Sequence, residues 1–233
     1  MIETINKLIA NNSWFDANYK AGLSLGKRFH TMKAALTLLL VRNGRTIVET
    51  GCQRQKDDWG AGCSTKVFSE FILHYGLHKL YSIDNNQANI DLARTLTNSK
   101  ATKFICSDSV EALTEFTRPI DLLYLDSYDY PDGELVKDFM GPLTDYALAM
   151  KILKGWPNYK ILATYGETLY PCQNHQVKEL EAAYDRLHEN SIILLDDFDL
   201  PGGGKCRLSH EWLRDHYYTP ILISYQSLWT GPQ

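Results

Sequence analysis

Short apolar runs punctuate the chain at residues 46–50 (TIVET), 80–84 (LYSID), 102–108 (TKFICSD), 120–126 (IDLLYLD) and 191–197 (SIILLDD), and several end in an acid. Continuous runs of this length suit strands buried on both faces, as in parallel sheets. Between them the apolar period changes to that of a helix. Residues 64–75 place Val67, Phe68, Phe71 and Ile72 on one face, with Ser64 or Thr65 able to cap the start. Residues 86–98 do the same with Ile90, Ala93 and Leu96 or Thr97, and residues 109–116 with Val110, Leu113 and Phe116. In 175–188 the face is Val177, Leu180, Ala183 or Tyr184, and Leu187. Alternating strands and helices predict an α/β fold with a doubly wound, mostly parallel sheet. The stretch 217–229 (YYTPILISYQSLW) reads as two closing strands or a hairpin at one edge.

Two segments depart from this rhythm. From Asp126 to the helix predicted at His175 there are about 50 residues, where a crossover needs a short loop and one helix. Residues 130–172, with a predicted helix at 134–153, therefore read as an inserted lid or an oligomerisation arm of a possible homodimer. Residues 1–43 look helical and precede the first strand, so they are expected to cover the sheet or one end of a cleft. Everything else fits one domain spanning 1–233.

Composition narrows the function. The 233 residues are 44% hydrophobic and 22% charged, as in ordinary soluble proteins. Lys plus Arg number 24 against 28 Asp plus Glu, a net charge of −4 that argues against nucleic-acid wrapping. The longest apolar run, 34–41, falls well short of the roughly 20 residues that span a bilayer. The N-terminal stretch MIETINKLIANNSWFD lacks a basic region followed by an apolar one, so no signal peptide is expected. Five Cys without a CxxC pair fit reduced, cytoplasmic thiols.

In open α/β sheets ligands bind beyond the carboxyl ends of the strands, and here those ends carry Glu49, Asp84, Asp108, Asp126, Asp196 and Asp197. After the first strand, ETGCQRQKDDWGAGCST offers Gly51, Gly60 and Gly62 for turns and close approach, then Ser64 and Thr65 at a helix start. Asp84, followed by Asn85, lies 20 residues beyond Ser64, the spacing at which an acid meets ribose hydroxyls. Neither GxxxxGK[ST] nor GxGxxG is present, and a pyrophosphate would sit badly among so many carboxylates. A nucleoside ligand carrying positive charge is the better match.

Taken together, VETGC…GAGCST, YSIDNNQANIDLAR, ICSDSVEAL, IDLLYLDSYD and SIILLDDF resemble the successive motifs of class I S-adenosylmethionine-dependent methyltransferases over residues 45–229. The resemblance implies a Rossmann-like, seven-stranded sheet. It places Glu49 and Gly51 beside the methionine moiety, Asp84 and Asn85 at the ribose, and Asp108 and Ser109 at the adenine. The family's compact acid-x-Gly-x-Gly loop is interrupted here by QRQKDDW. Gly60, Gly62, Ser64 and Thr65 thus stay alternatives for cofactor contact, and Trp59 either packs on the cofactor or lies on the surface.

Asp126 ends the fourth strand and Asp196 and Asp197 end the fifth. If those strands are neighbours, three carboxylates converge, and a divalent cation such as Mg²⁺ would relieve their repulsion. The blander reading is that they only end strands and cap turns. All three match the metal-binding acids of metal-dependent O-methyltransferases of the catechol and sugar or aminocoumarin types, and Asp126 would also border the cofactor. In that subclass Mg²⁺ grips adjacent substrate oxygens and lowers a hydroxyl pKa. Catechol-type relatives carry a Lys three positions after the first metal acid, where this chain has Asp129. Sugar-type relatives use an Asp nearby, which makes Asp129 the first choice of base and His175 the second. Lys205, at the end of GGGK, is a third candidate if it enters on a mobile loop, although a solvated Lys is the default. Tyr128, Tyr130, Trp156, Tyr165 and Tyr170 could floor an acceptor site or simply pack.

The expected activity is methyl transfer from S-adenosylmethionine to an oxygen of a small molecule, Mg²⁺-dependent, with metal-free N- or O-methylation as the alternative. A nicotinamide-dependent oxidoreductase and a non-catalytic cofactor-binding scaffold are the rivals from other classes.

Overall fold

The computed structural model describes residues 12–19, 25–57, 59, 63–98, 100–129 and 159–232, with the backbone alone for 159–169 and 201–202. The predicted helix at 134–153, most of the predicted insertion and Gly62 lie outside the described residues.

Seven strands form one sheet: β1 (Thr46–Thr50), β2 (Lys79–Asp84), β3 (Thr102–Cys106), β4 (Leu122–Leu125), β5 (Ile192–Leu195), β6 (Thr219–Ile223) and β7 (Ser227–Thr230). Their order is β3-β2-β1-β4-β5-β7-β6. The pairs among β1 to β5 are parallel, while β7 runs antiparallel to both β5 and β6. The expected closing hairpin is therefore present, with β6 at the edge. The chain winds outward from β1 in one direction and then restarts at β4, so the strand order reverses between these two. Ligands of open α/β sheets sit at such a point.

Seven helices accompany the sheet among the described residues: α1 (Ser13–Asn18), α2 (Phe29–Val41), α3 (Ser64–Tyr75), α4 (Gln87–Leu96), α5 (Ser109–Thr114), α6 (Tyr159–Ala183) and α7 (Arg207–Asp215). Alternate strand residues divide the core into two layers. Ile47, Leu122, Tyr124, Ile192 and Leu194 pack with Phe15, Met32, Leu36, Phe68 and Phe71 from α1, α2 and α3. Their neighbours Val48, Leu123, Leu125, Ile193 and Leu195 pack with Leu113, Leu180 and Leu213 from α5, α6 and α7. The apolar run that is too short for a membrane is thus α2, buried along residues 34–39.

Local chemistry explains the helix ends. Asn86 caps α4 by accepting from the Ala88 N–H, and Asp108 caps α5 by accepting from the N–H groups of Val110 and Glu111. Gly76 ends α3 with φ 64°, where glycine has no Cβ to object. Two expectations need correction. The helix expected to start at His175 starts at Tyr159 and continues through Pro171, a residue that usually breaks helices because it lacks an N–H donor. The last part of the expected insertion therefore belongs to α6. The cap residue of α3 is Cys63, and neither Ser64 nor Thr65 caps it.

His210 on α7 is buried, stacked on Phe198 at 4.4 Å and 2.7 Å from the Ser227 hydroxyl. Burial, with the Arg214 charge, lowers its pKa to about 4. The neutral ring is the one the fold accepts, so its contribution is present above the unfolded pKa near 6.5 and is lost as pH falls towards 4. Thermal melts between pH 4 and 7 are expected to show a fall in Tm on the acid side that is shallower in His210→Gln. Equal acid slopes in the two proteins would contradict this.

Candidate functional site

At the switch point the ends of β1 and β4 touch. Gly51 follows β1 with φ 83°, and a Cβ there would lie 2.3 Å from the Asp126 carbonyl oxygen. Its N–H bonds to the Ile83 carbonyl at 2.8 Å, which fixes the turn between β2 and β4. Two cavities open on this turn. The larger, about 360 Å³, is lined by Gly51, Ser64, Asp84, Asn85, Asp126 and Asp129 among others. The smaller, about 150 Å³, shares Gly51, Asp84 and Asn85 and adds Asp108, Ser109 and His175. They form one cleft with three carboxylates on the wider side and one on the narrower.

Asp84 sits where both cavities meet. Its carboxylate accepts from the backbone N–H of Asn86 at 2.8 Å and of Cys52 at 3.2 Å, and from the Asn89 amide at 3.2 Å. A carboxylate has about four lone-pair sites, and with the Cys52 thiol at 3.4 Å these contacts engage them, so the group is held still. The start of α3 at Ser64 has no side-chain cap and faces the larger cavity. Thr65 instead accepts from the Gln53 N–H at 2.8 Å and pins the loop. Glu49 lies in the middle of the sheet, fully buried, with the Ser82 hydroxyl donating to it at 2.7 Å. Burial pushes its pKa up to about 7 against the pull of the Thr65, Ser82 and Ser64 hydroxyls. It supports the floor and does not line the cleft.

In the smaller cavity, Asp108 is the cap of α5, and the Ser109 hydroxyl lies 2.9 Å from His175 Nε2. Glu179, 3.7 Å from the same nitrogen, raises the His175 pKa against the effect of burial. Tyr128 packs on the ring, with centroids 5.3 Å apart. His175 thus stands with Asp108 and Ser109. Asp129 is at the larger cavity, exposed, with both its oxygens 2.9 Å from Arg54 Nη1.

The three carboxylates assigned to Mg²⁺ do converge, but their donor atoms do not point at a common open position. Lys205 donates to Asp126 Oδ1 and reaches Asp197 Oδ2 at 3.1 Å. Arg28 Nε donates to Asp196 Oδ2 at 2.7 Å, and Arg28 Nη2 lies 3.6 Å from Asp197 Oδ1. The Tyr124 hydroxyl is 2.7 Å from Asp196 Oδ2 and 3.2 Å from Asp126 Oδ2. Tyr225 donates to Asp197 Oδ1, and the Asp197 N–H to Asp196 Oδ1 at 2.9 Å. All six carboxylate oxygens have protein partners. Among the described residues no group of three or more acids, His or Cys is disposed to hold a metal ion. The donor set does not fit Mg²⁺, which demands near-octahedral oxygen donors about 2.1 Å away.

This cluster also orders the charges. Burial, with Asp196 and Asp197 beside it, raises the Asp126 carboxyl well above the ordinary range despite Lys205. Burial alone would raise Asp196 too, but Arg28 and Lys205 hold it below that range. Lys205 is raised by Asp126, Asp197 and Asp196, which outweigh its burial, so it is an ammonium. Lys205 appears in the sequence as a third candidate base on a mobile loop, whereas it is buried beneath the cleft. Arg28, Tyr124 and Tyr225 carry no sequence signal of this role, because it exists only once segments up to 197 positions apart meet.

The sequence matches no protein-family model and no curated protein. Solved structures do match. The O-methyltransferase NovP superposes with TM-score 0.55 at 10% identity, covering 100% of this chain and 98% of its own. The Podospora anserina methyltransferase PaMTH1, bound to S-adenosylhomocysteine, gives 0.53 at 11% identity with 98% and 88% coverage. The calicheamicin methyltransferase CalS11 gives 0.52 at 13% identity with 98% and 90% coverage. Together with the strand order, these likenesses show that the chain has the class I methyltransferase fold.

Two glycines with positive φ separate conformational cost from close packing. Gly76 has φ 64° and open space around it, whereas Gly51 faces the Asp126 carbonyl. Gly76→Ala is expected to cost roughly 1–2 kcal/mol, the left-handed penalty alone, and Gly51→Ala clearly more. Urea unfolding of the two variants measures the difference, and equal costs would contradict a tight contact at the switch point.

Proposed function

We propose that the chain is an S-adenosylmethionine-dependent methyltransferase acting on an oxygen of a small molecule. The observation that carries the reading is the cleft at the β1–β4 switch point, acidic on both sides, in a methyltransferase fold. Its chemistry suits the cofactor. Asp84 receives the ribose hydroxyls in place of its long contacts from the Asn89 amide and the Cys52 thiol, Asn85 lies beside it, and Gly51 lets the ligand approach bare backbone. The smaller cavity, with Asp108, Ser109 and the ring of His175, takes the adenine. The uncapped N–H groups at Ser64 face the end of the cavity where a ligand carboxylate is favoured by the helix dipole.

When bound, the cofactor supplies an electrophilic methyl group on a positively charged sulfur. The chain's residues then hold an acceptor oxygen in line with it, and such orientation provides much of the rate of a displacement. Asp126 and Asp129 line the larger cavity, the first paired with Lys205 and the second with Arg54. Asp129 is the proposed proton acceptor, once the acceptor hydroxyl has taken the place of Arg54. His175 is assigned to the adenine side, because its Nε2 is engaged with Ser109. With Asp126, Asp196 and Asp197 paired to Arg28 and Lys205, no metal step is invoked, and adjacent oxygens on the acceptor are not required. Support for a small acceptor comes from the net charge of −4, which disfavours a nucleic-acid acceptor.

Calorimetric titration of S-adenosylhomocysteine is expected to give micromolar binding. Asp84→Asn should weaken it by about 10- to 100-fold, the loss of roughly 1.5–3 kcal/mol typical of hydrogen bonds to a charged group. Absence of binding to the wild type, or equal affinity in Asp84→Asn, would overturn the cofactor assignment. A screen of hydroxylated acceptors with a labelled methyl donor then tests the reaction.

A further inference from the structure

We infer that Lys205 is the resident cation of the three-carboxylate cluster and occupies the volume a divalent metal would need, so that the chain carries a latent metal site closed by one of its own side chains. The inference concerns the cluster and does not depend on methyl transfer. Three observations lead to it. First, the Lys205 side chain is only 4% exposed and bridges Asp126, just beyond β4, to Asp197 beyond β5. These strands are hydrogen-bonded neighbours, so the ammonium spans their adjacent ends. Second, the remaining oxygens already have partners in Arg28, Tyr124, Tyr225 and a backbone N–H, so Lys205 is the group an incoming ion would have to displace.

Third, the backbone is shaped to deliver this lysine. Gly203 and Gly204 adopt φ 82° and 54°, and a Cβ on Gly204 would fall 1.6 Å from the Asp197 carbonyl oxygen. The Gln173 amide donates to the Gly204 carbonyl at 2.8 Å, and the Cys206 thiol donates to the Asp196 carbonyl at 2.8 Å. Asp197 itself takes φ 59°, a conformation that Asp tolerates better than most residues. The turn is thus packed directly against the acids whose charge Lys205 offsets. Such a lysine is a fixed component of the cluster, unlike one on a solvated loop.

The physical consequence is an exchange of cations. Without Lys205, Asp126 and Asp197 lose a shared partner, and the repulsion of three buried carboxylates favours uptake of a divalent ion from solution. Mn²⁺ reports this directly, because the resonance of the free aquo ion disappears on binding. The wild-type chain is expected to leave added Mn²⁺ free up to millimolar concentration. Lys205→Ala is expected to bind one Mn²⁺ per chain and to melt at higher temperature with the metal than without it. Lys205→Ala/Asp197→Asn should lose both effects.

Wild-type uptake of one Mn²⁺ that Asp197→Asn abolishes would overturn the inference, because Lys205 would then yield to metal. A folded Lys205→Ala chain that binds no Mn²⁺ would overturn it too, since the carboxylates would not form a cage even when vacated. That comparison needs no Lys205 variant, so it decides the first point even if Lys205→Ala fails to fold.

Discussion

A buried network of charge holds the working edge of this molecule together. Arg28 precedes α2, Asp126 follows β4, Asp196 and Asp197 follow β5, Lys205 belongs to the turn before α7, and Tyr225 lies between β6 and β7. Hydrogen bonds and ion pairs among them bind five separated segments at one end of the sheet. Removing one partner of a buried ion pair typically costs about 3–5 kcal/mol, because it strands the other charge away from water. The arrangement is therefore a constraint on how α2, the glycine turn and the closing hairpin dock against β4 and β5.

The cleft depends on that constraint through Asp126. Its side chain faces Lys205, while its backbone carbonyl meets Gly51 and its residue lines the larger cavity. The charge network and the switch-point cleft share this one residue. On the far side of β1, Asp84 is fixed by neighbouring N–H groups and not by any cation. The two acids therefore differ in kind: one is paired with a cation of the protein, and the other with neutral donors that a ligand's hydroxyls can replace.

Much of this was legible in the sequence because it is local. Apolar runs ending in acids mark strands whose ends line one edge, and Asn86 and Asp108 are recognisable caps. The adjacency of the fourth and fifth strands brought Asp126, Asp196 and Asp197 together as expected. The error lay in what neutralises them. Acids at strand ends can be read from neighbouring residues, but the partners Arg28 and Lys205 lie 168 and 79 positions from Asp196 and Asp126. A single Arg before a helix, or a Lys after three glycines, looks like any solvated cation until the fold closes over it. The start of α6 is less legible, because the helix runs through Pro171, a residue that lacks an N–H donor.

The central claim, a nucleoside cleft beside an acid cluster closed by its own lysine, is tested most directly by one crystal structure. Crystals of the wild-type chain grown with S-adenosylhomocysteine and Mn²⁺, with data collected at the manganese edge, would show both features at once. The account predicts the ribose on Asp84 and the adenine beside Asp108 and Ser109, with the Lys205 ammonium between Asp126 and Asp197 and no anomalous peak there. An anomalous peak among Asp126, Asp196 and Asp197 with Lys205 turned away, or a nucleoside bound elsewhere, would contradict it.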